Sequence, residues 1–385
     1  MISEKKYLQF NTPCFIVDRV LLKRNLKILK SVKDRTGAKI LLALKGFAMY
    51  CTSDLISEYL DGICASSPHE ARLGKNEFGR EVHSFAAAYS DEDFDELASL
   101  SNHIVLNSMS QYEYFFDKMQ YYNHETRGGL KFGLRINPEH RETEVEMYDP
   151  CAKGSRLGIV KKHFPKKMPD LISGLHFHTL CQKNSDALER TFEQIEKRFG
   201  HVLPECDWIN FGGGHHITRE DYDLDLLCSV IERAKRKYNV EVYLEPGEAV
   251  ALNTGFLVAT VLDIVNNDID IALLDTSAAA HMPDVLEMPY RPFIIGSGLP
   301  DEKKHTYRLA GLSCLAGDVI GDYSFDEPLK RGDKVIFTDM AIYSMVKTNT
   351  FNGIKLPDIF YYDSKSDEIL HEKHFGYNDF KMRLS

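Results

Sequence analysis

A single tryptophan, Trp208, stands in the 385 residues, and no run approaches the roughly 18 uninterrupted apolar residues of a membrane-spanning helix. The opening MISEKKYLQF has no apolar core, so no secretory signal is expected. The eight cysteines (Cys14, Cys51, Cys64, Cys151, Cys181, Cys206, Cys228 and Cys314) form no CxxC pair. That argues against a zinc ribbon and against a small disulfide scaffold, and reduced thiols in a cytoplasm are the simplest account. Positive charge is scarce: 47 basic against 57 acidic residues leave a net charge of −10. A general nucleic-acid surface is therefore disfavoured. The balance suits a cationic small substrate, though solubility alone explains as much acidity. No internal repeat, low-complexity segment or flexible linker appears.

What is present is a regular series of short apolar runs: KILLALK (39–45), GICAS (62–66), VHSFAAA (82–88), HIVLN (103–107), KFGLRI (131–136), ISGLHFH (172–178), DWINFGG (207–213) and EVYLE (241–245). Most are continuously apolar, as strands of a parallel sheet covered on both faces are. Helical patterns lie between them. Ser67-Pro68 reads as a cap followed by proline in the first turn, and DEDFDELASL after Ser90 opens with acids suited to the helix dipole. SDALERTFEQIEKRFG and YDLDLLCSVIERAKRKYN are longer amphipathic candidates. Eight strand–helix alternations predict a (β/α)8 barrel over residues 20–250. A doubly wound open sheet is the alternative. Beyond 250, GFLVATVLDIV, IDIALLD, HTYRLAGLSC, DKVIFTDM and DIFYYD predict a mostly β second domain, residues 251–385 joined by 1–19 with the strand TPCFIVD.

Barrel enzymes carry their chemistry at the carboxyl ends of the strands. Lys45 closes the first run, Arg135 lies near the end of the fifth and His178 closes the sixth; Gly212, Gly213 and Gly214 close the seventh and Glu245 the eighth. After LLAL, Lys45 is expected to leave the strand in a walled cavity where desolvation frees a nucleophilic amine for a Schiff base; a lone lysine there is more often snorkelling. Three glycines let backbone amides approach an anion, although a triple glycine is commonly just a turn. Glu245, before a Pro-Gly turn, can pair with a protonated pyridine nitrogen, or be a solvated loop acid. His176 and His178 face one side of a strand, but no third ligand at convincing spacing supports a metal, and none is expected. The coincidence of all these groups at equivalent positions is the signal.

From TPCFIVD (12–18) through LALK, LRINP, GLHFH, NFGGG, LEPG, LSCLAGD and MAIYS to TFNG (350–353), the chain resembles the fold-type III pyridoxal-phosphate decarboxylases, in the family's order and over nearly its whole length. The resemblance implies pyridoxal 5′-phosphate as cofactor. It further implies Lys45 as the Schiff-base lysine, His178 as the imidazole stacked on the cofactor ring and Glu245 as partner of the pyridine nitrogen. Arg135 and Gly212–Gly214 fall in the cofactor site, and Tyr343 is a further phosphate contact. Cys314 is similar to the cysteine donated from the neighbouring subunit to protonate Cα, with Asp318 shaping the pocket, so a homodimer with shared sites is implied. Alone, Cys314 would read as a small buried hydrophobe.

Departures bear on the substrate. Glu248 follows LEPG where many members carry arginine, HTLCQ after His178 lacks the common Gly-Ser pair, and TSAAAHMPD differs from ornithine enzymes. EPGE, HMPD and SCLAGD together resemble the carboxynorspermidine (carboxyspermidine) decarboxylases. Glu248 and Asp284 are then expected to hold the ammonium groups of a polyamine tail and to reject a distal carboxylate. The alternatives are ornithine, lysine or diaminopimelate decarboxylation, a racemase, or a catalytically silent decarboxylase-like binding protein. The last should lack Lys45-type or Cys314-type groups, and both are here.

Overall fold

The structure, a computed structural model, describes residues 4–143 and 145–385. Residues 1–3 of the expected 1–19 segment lie outside the described residues. The chain divides into two compact units, Asn25–Val250 and the residues up to Arg24 together with Ala251–Ser385.

The first strand in the chain, β1 (Cys14–Asp18), belongs to the second unit. In Asn25–Val250 the strands are β2 (Lys39–Ala43), β3 (Gly62–Ala65), β4 (Glu81–Phe85), β5 (His103–Leu106), β6 (Lys131–Asn137), β7 (Ile159–Val160), β8 (Ile172–His176), β9 (Trp208–Asn210) and β10 (Glu241–Leu244). The order β5-β4-β3-β2-β10-β9-β8-β6 is closed by β5–β6 pairing, and every pairing is parallel. This is an eight-stranded barrel rather than an open sheet; β7 pairs only with the end of β6. Strand, crossover and parallel strand repeat because each run is buried on both faces, as Ile40–Ala43 are.

The barrel interior packs Leu41, Val105, Trp208 and Tyr243, with Phe85 against them. The indole fits because β6 and β8 present glycine to it. A Cβ at Gly174 would stand 2.1 Å from Trp208 Cδ2, and one at Gly133 2.3 Å from its Cη2. Trp208 Nε1 donates to Ser173 Oγ at 3.1 Å, so the buried N–H is satisfied. The outer helices start as their sequences require. Ser67 Oγ accepts from Glu70 N (3.2 Å) ahead of Pro68–Leu73, and Ser90 Oγ accepts from Asp93 N (3.1 Å) ahead of Asp91–Leu100. Leu224–Tyr238 ends at Asn239, which takes the left-handed conformation (φ 54°) that commonly follows a helix.

The second unit contains β11 (Gly255–Asn267), β12 (Ile269–Leu274), β13 (His305–Ala310), β14 (Val319–Phe325), β15 (Lys334–Thr338), β16 (Asp358–Asp363) and β17 (Glu368–Lys373). Their order is β14-β13-β12-β11-β1-β16-β17, with β15 also on β11. β1 runs antiparallel to β11 and parallel to β16. Alternation along these strands gives the sheet two apolar faces. Cys14 and Ile16 pack with Phe256 and Val258 on one, and Phe15 with Leu257 and Ala259 on the other. Among the described residues no helix is long and apolar enough to cross a membrane.

Candidate active site

β2, β8 and β9 stop two or three residues short of Lys45, His178 and Gly213, which places these groups on the loops of the carboxyl rim. Lys45 itself is exposed, although Leu44 before it is fully buried. The walled, desolvated amine expected from LLAL is therefore corrected: burial ends at the strand and the side chain emerges from it. Lys45 Nζ lies 3.4 Å from His178 Nε2, and His178 Nδ1 accepts from Gly213 N at 2.7 Å. Burial first, then the charges of Lys45 and Arg135, push the His178 ring well below its usual range. A neutral ring accepting at Nδ1 carries its proton on Nε2, so its contact with Lys45 is a hydrogen bond only to a free amine. Arg135 is buried, donates to His178 O (3.0 Å) and lies over the Phe85 ring; burial brings its guanidinium down to about 10.

Glu245 accepts from His176 Nε2 at 3.1 Å and from Asn210 Nδ2 at 2.7 Å. Burial pushes its carboxyl up, but the His176 ring and these two hydrogen bonds outweigh it and bring it down to about 2. His176, weighed from sequence as a metal ligand, is thus the partner that keeps Glu245 ionised, and Asn210 is a site residue that the sequence reading missed. The WIN of β9 gave no signal beyond its apolar run. The charges of Glu245 and Lys45 act oppositely on the Cys64 thiol and on the His176 ring, Glu245 raising both and Lys45 lowering both.

The three glycines behave differently from the expectation. A Cβ at Gly212 would meet Phe177 O at 2.4 Å, at Gly213 Glu245 O at 2.4 Å and at Gly214 Leu180 O at 1.9 Å, so close packing demands all three. Gly212 N donates to Asn210 Oδ1 (2.8 Å) and Gly213 N to His178 Nδ1, so neither amide is open to an anion. Beyond β10, Glu248 Oε1 accepts from Gln182 Nε2 at 2.6 Å.

The other predicted groups lie in the sheet unit. Cys314 is exposed, and its N–H donates to Asn352 Oδ1 (2.8 Å) of TFNG. Asp318 is buried, accepting from Ser277 Oγ (2.8 Å), Ser313 N (3.0 Å) and Ala279 N (3.2 Å). Its carboxylate is engaged in fixing the LSCLAGD turn. Asp284 and Glu287 both receive Lys347 Nζ, so Asp284 is a paired carboxylate. Tyr343 sits in the turn after β15 with φ 52°, a strained conformation for a tyrosine.

Residues 14–341 match the family described as "Pyridoxal-dependent decarboxylase, C-terminal sheet domain". The chain belongs to this family of decarboxylating enzymes. The carboxynorspermidine/carboxyspermidine decarboxylase of Campylobacter jejuni is 42% identical over 98% of this chain and 99% of its own. A carboxyaminopropylagmatine decarboxylase of Synechocystis is 42% identical over 97% and 95%. A crystal structure of carboxynorspermidine decarboxylase complexed with norspermidine, from Campylobacter jejuni, superposes with a TM-score of 0.89 at 41% identity, covering 97% of this chain and 100% of that one.

Proposed function

We propose that this enzyme removes carbon dioxide from carboxynorspermidine and carboxyspermidine, yielding norspermidine and spermidine as a step of polyamine biosynthesis. The observation that carries this reading is Glu248, a carboxylate held by Gln182 on the carboxyl rim at the position after LEPG. It supports a cationic tail, where one charged hydrogen bond contributes about 1.5–3 kcal/mol, and it opposes the distal carboxylate of diaminopimelate. A second reading, carboxyaminopropylagmatine as substrate, is favoured by the equal identity of the Synechocystis relative. That tail ends in a guanidinium instead of an ammonium.

The rim fits pyridoxal 5′-phosphate, because a buried carboxylate held ionised by His176 and Asn210 is what a protonated pyridine nitrogen requires. Lys45 Nζ would hold the cofactor covalently, Glu245 would keep a proton on the pyridine nitrogen, and His178 would fix the ring plane. Arg135 anchors the His178 segment from behind. Gly212 and Gly213 shape the phosphate turn rather than donate to it, leaving Gly214 and Tyr343 as the proposed phosphate contacts. When bound, the cofactor supplies an electron sink for the pair released from the bond between Cα and the carboxylate. Cys314 Sγ returns a proton to Cα in place of carbon dioxide, and Asp318 positions the turn that carries it.

Exposed Leu312, Leu315 and Phe351 surround Cys314 in the sequence and through Asn352. This apolar surface supports a homodimer in which a second copy covers Cys314. All eight cysteines are unpaired, which supports a reducing, cytoplasmic setting. Carbon dioxide release from a panel of amino acids tests the function. Carboxynorspermidine and carboxyspermidine are expected to exceed L-lysine, L-ornithine and diaminopimelate by about a hundredfold in kcat/KM, the scale of a lost charged contact. Preference for carboxyaminopropylagmatine would install the second reading, and preference for diaminopimelate would end both.

A further inference from the structure

The loops after β8 and β9 run side by side. Lys183 bridges to His215, Lys183 N donates to Gly214 O at 3.0 Å, and His216 N donates to Lys183 O at 3.2 Å. This zipper brings Gln182, whose backbone is held at φ 53°, next to His216. Both side chains converge on one atom, Glu248 Oε1, with Gln182 Nε2 at 2.6 Å and His216 Nε2 at 3.4 Å. Glu248 is tied to the Lys45 loop, since a Cβ on Gly46 would stand 3.2 Å from Glu248 N. His216 is only 8% exposed, yet neither of its ring nitrogens has a hydrogen-bond partner. A buried imidazole with both nitrogens unused calls for an explanation.

We propose that Gln182, Glu248 and His216 form a seat for one alkylammonium nitrogen of the polyamine tail, with His216 a specificity-determining residue of the reaction. The proposal rests on the carboxypolyamine reading above. The chemistry of the three groups is one-sided toward such a ligand. Gln182 donates an amide N–H to Glu248 and keeps its amide oxygen as an acceptor. Glu248 offers a carboxylate, and His216 offers a buried ring nitrogen that has no hydrogen-bond partner. An ammonium, with only donors, satisfies three acceptors at once, whereas a carboxylate or an alkyl end satisfies none. The signal in the sequence was the HTLCQ segment, whose departure from the family pattern brings Gln182 to this place.

The test uses the full-length holoenzyme, the wild type and two variants, His216→Phe and His216→Gln, each confirmed to be folded by its cofactor absorbance. Inhibition constants are measured for norspermidine and for L-norvaline, which has the amino-acid head and no tail amine. KM and kcat are measured for carboxynorspermidine. In His216→Phe, KM and the norspermidine constant are expected to rise about tenfold or more, the effect of one hydrogen bond to a charged group. The kcat and the L-norvaline constant should stay within about twofold, a change too small to count as a lost hydrogen bond. His216→Gln, which restores an acceptor, is expected to fall between. Glu248→Gln combined with His216→Phe should cost less than the product of the two single effects, because both act on one nitrogen. Unchanged norspermidine inhibition in the variants overturns the seat, as does equal weakening of norspermidine and L-norvaline. Should the wild type leave carboxynorspermidine untouched while His216→Phe still weakens norspermidine, the function fails and the seat stands.

Discussion

Replacing Glu245 by glutamine is expected to flatten the acid dependence of stability. The carboxyl falls from its ordinary 4.5 to about 2 in the folded chain, with a side chain only 12% exposed. A depressed acid stabilises the fold above its unfolded value, and that stability is lost as the pH falls from 4.5 toward 2. The full contribution is about 3 kcal/mol, of which about 1 kcal/mol is gone at pH 3.5. Glu81, also brought down to about 2, titrates in the same window but is present in both proteins, so it cancels from the difference between them. Urea unfolding followed by the fluorescence of Trp208, buried in the barrel interior, reads the right unit. Between pH 7 and pH 3.5 the wild type should lose about 1 kcal/mol more than Glu245→Gln. Parallel losses would refute the claim that His176 and Asn210 hold an ionised carboxylate. A protonated pyridine beside it would then lack its counter-charge.

Lys45→Ala is expected to abolish both the visible absorbance of bound cofactor and carbon dioxide release; a variant retaining either removes Lys45 from its role. Gly174→Ala drives a methyl into the indole of Trp208 and should lower unfolding stability by about 1–3 kcal/mol; a neutral result means that the barrel interior is not packed as described. Leu315→Asp places a charge on the exposed apolar surface beside Cys314 and is expected to halve the mass seen by light scattering, with loss of turnover. An active dimer of that variant would show that Cys314 is not covered by a second copy.

The barrel was legible because its strands are buried on both faces, so each registers as an unbroken apolar run with a helix start behind it. Two strands of the second unit were not. β14, VIGDYSF, is interrupted by Gly321 and Asp322, and all six residues of the edge strand β17, EILHEK, are exposed, so neither carries an apolar run. The rim residues Lys45, His178 and Glu245 were readable because a polar group closing an apolar strand is conspicuous in one dimension. What consumes a polar group is not. Lys347 lies 63 residues from Asp284, and Ser277 lies 41 from Asp318. Nothing local in HMPD or AGD announces those partners. The glycines were misread for a related reason. Their neighbours in space are the backbone of the adjacent rim loops, and the amides had been committed to Asn210 and His178.

The barrel also shows why polarity at a strand end is not by itself a site. Its amino-terminal rim holds Lys39, Glu81, His83 and His103, with Glu81 bonded to Lys39 (2.6 Å) and to His83 (3.1 Å). Glu81, His83 and His103 have ligand atoms within 4.8 Å of one another, which resembles a metal cluster. The two imidazoles, however, stack at 3.9 Å with only 18° between their planes. An ion bound in the plane of one ring lies off the plane of the other, so the pair does not share a metal in this arrangement. Burial holds His103 near 2, and Lys39 answers the charge of Glu81. Charge is thus balanced inside the amino-terminal cluster, which suits it to plugging the barrel. At the carboxyl rim the books stay open: Lys45 is exposed and His216 is buried with both nitrogens unused. Polar groups that the fold itself leaves unanswered are the ones a ligand can answer; His83 Nδ1 and His103 Nδ1 are unanswered too, but each is one nitrogen of a stacked ring, whereas neither nitrogen of His216 has a hydrogen-bond partner.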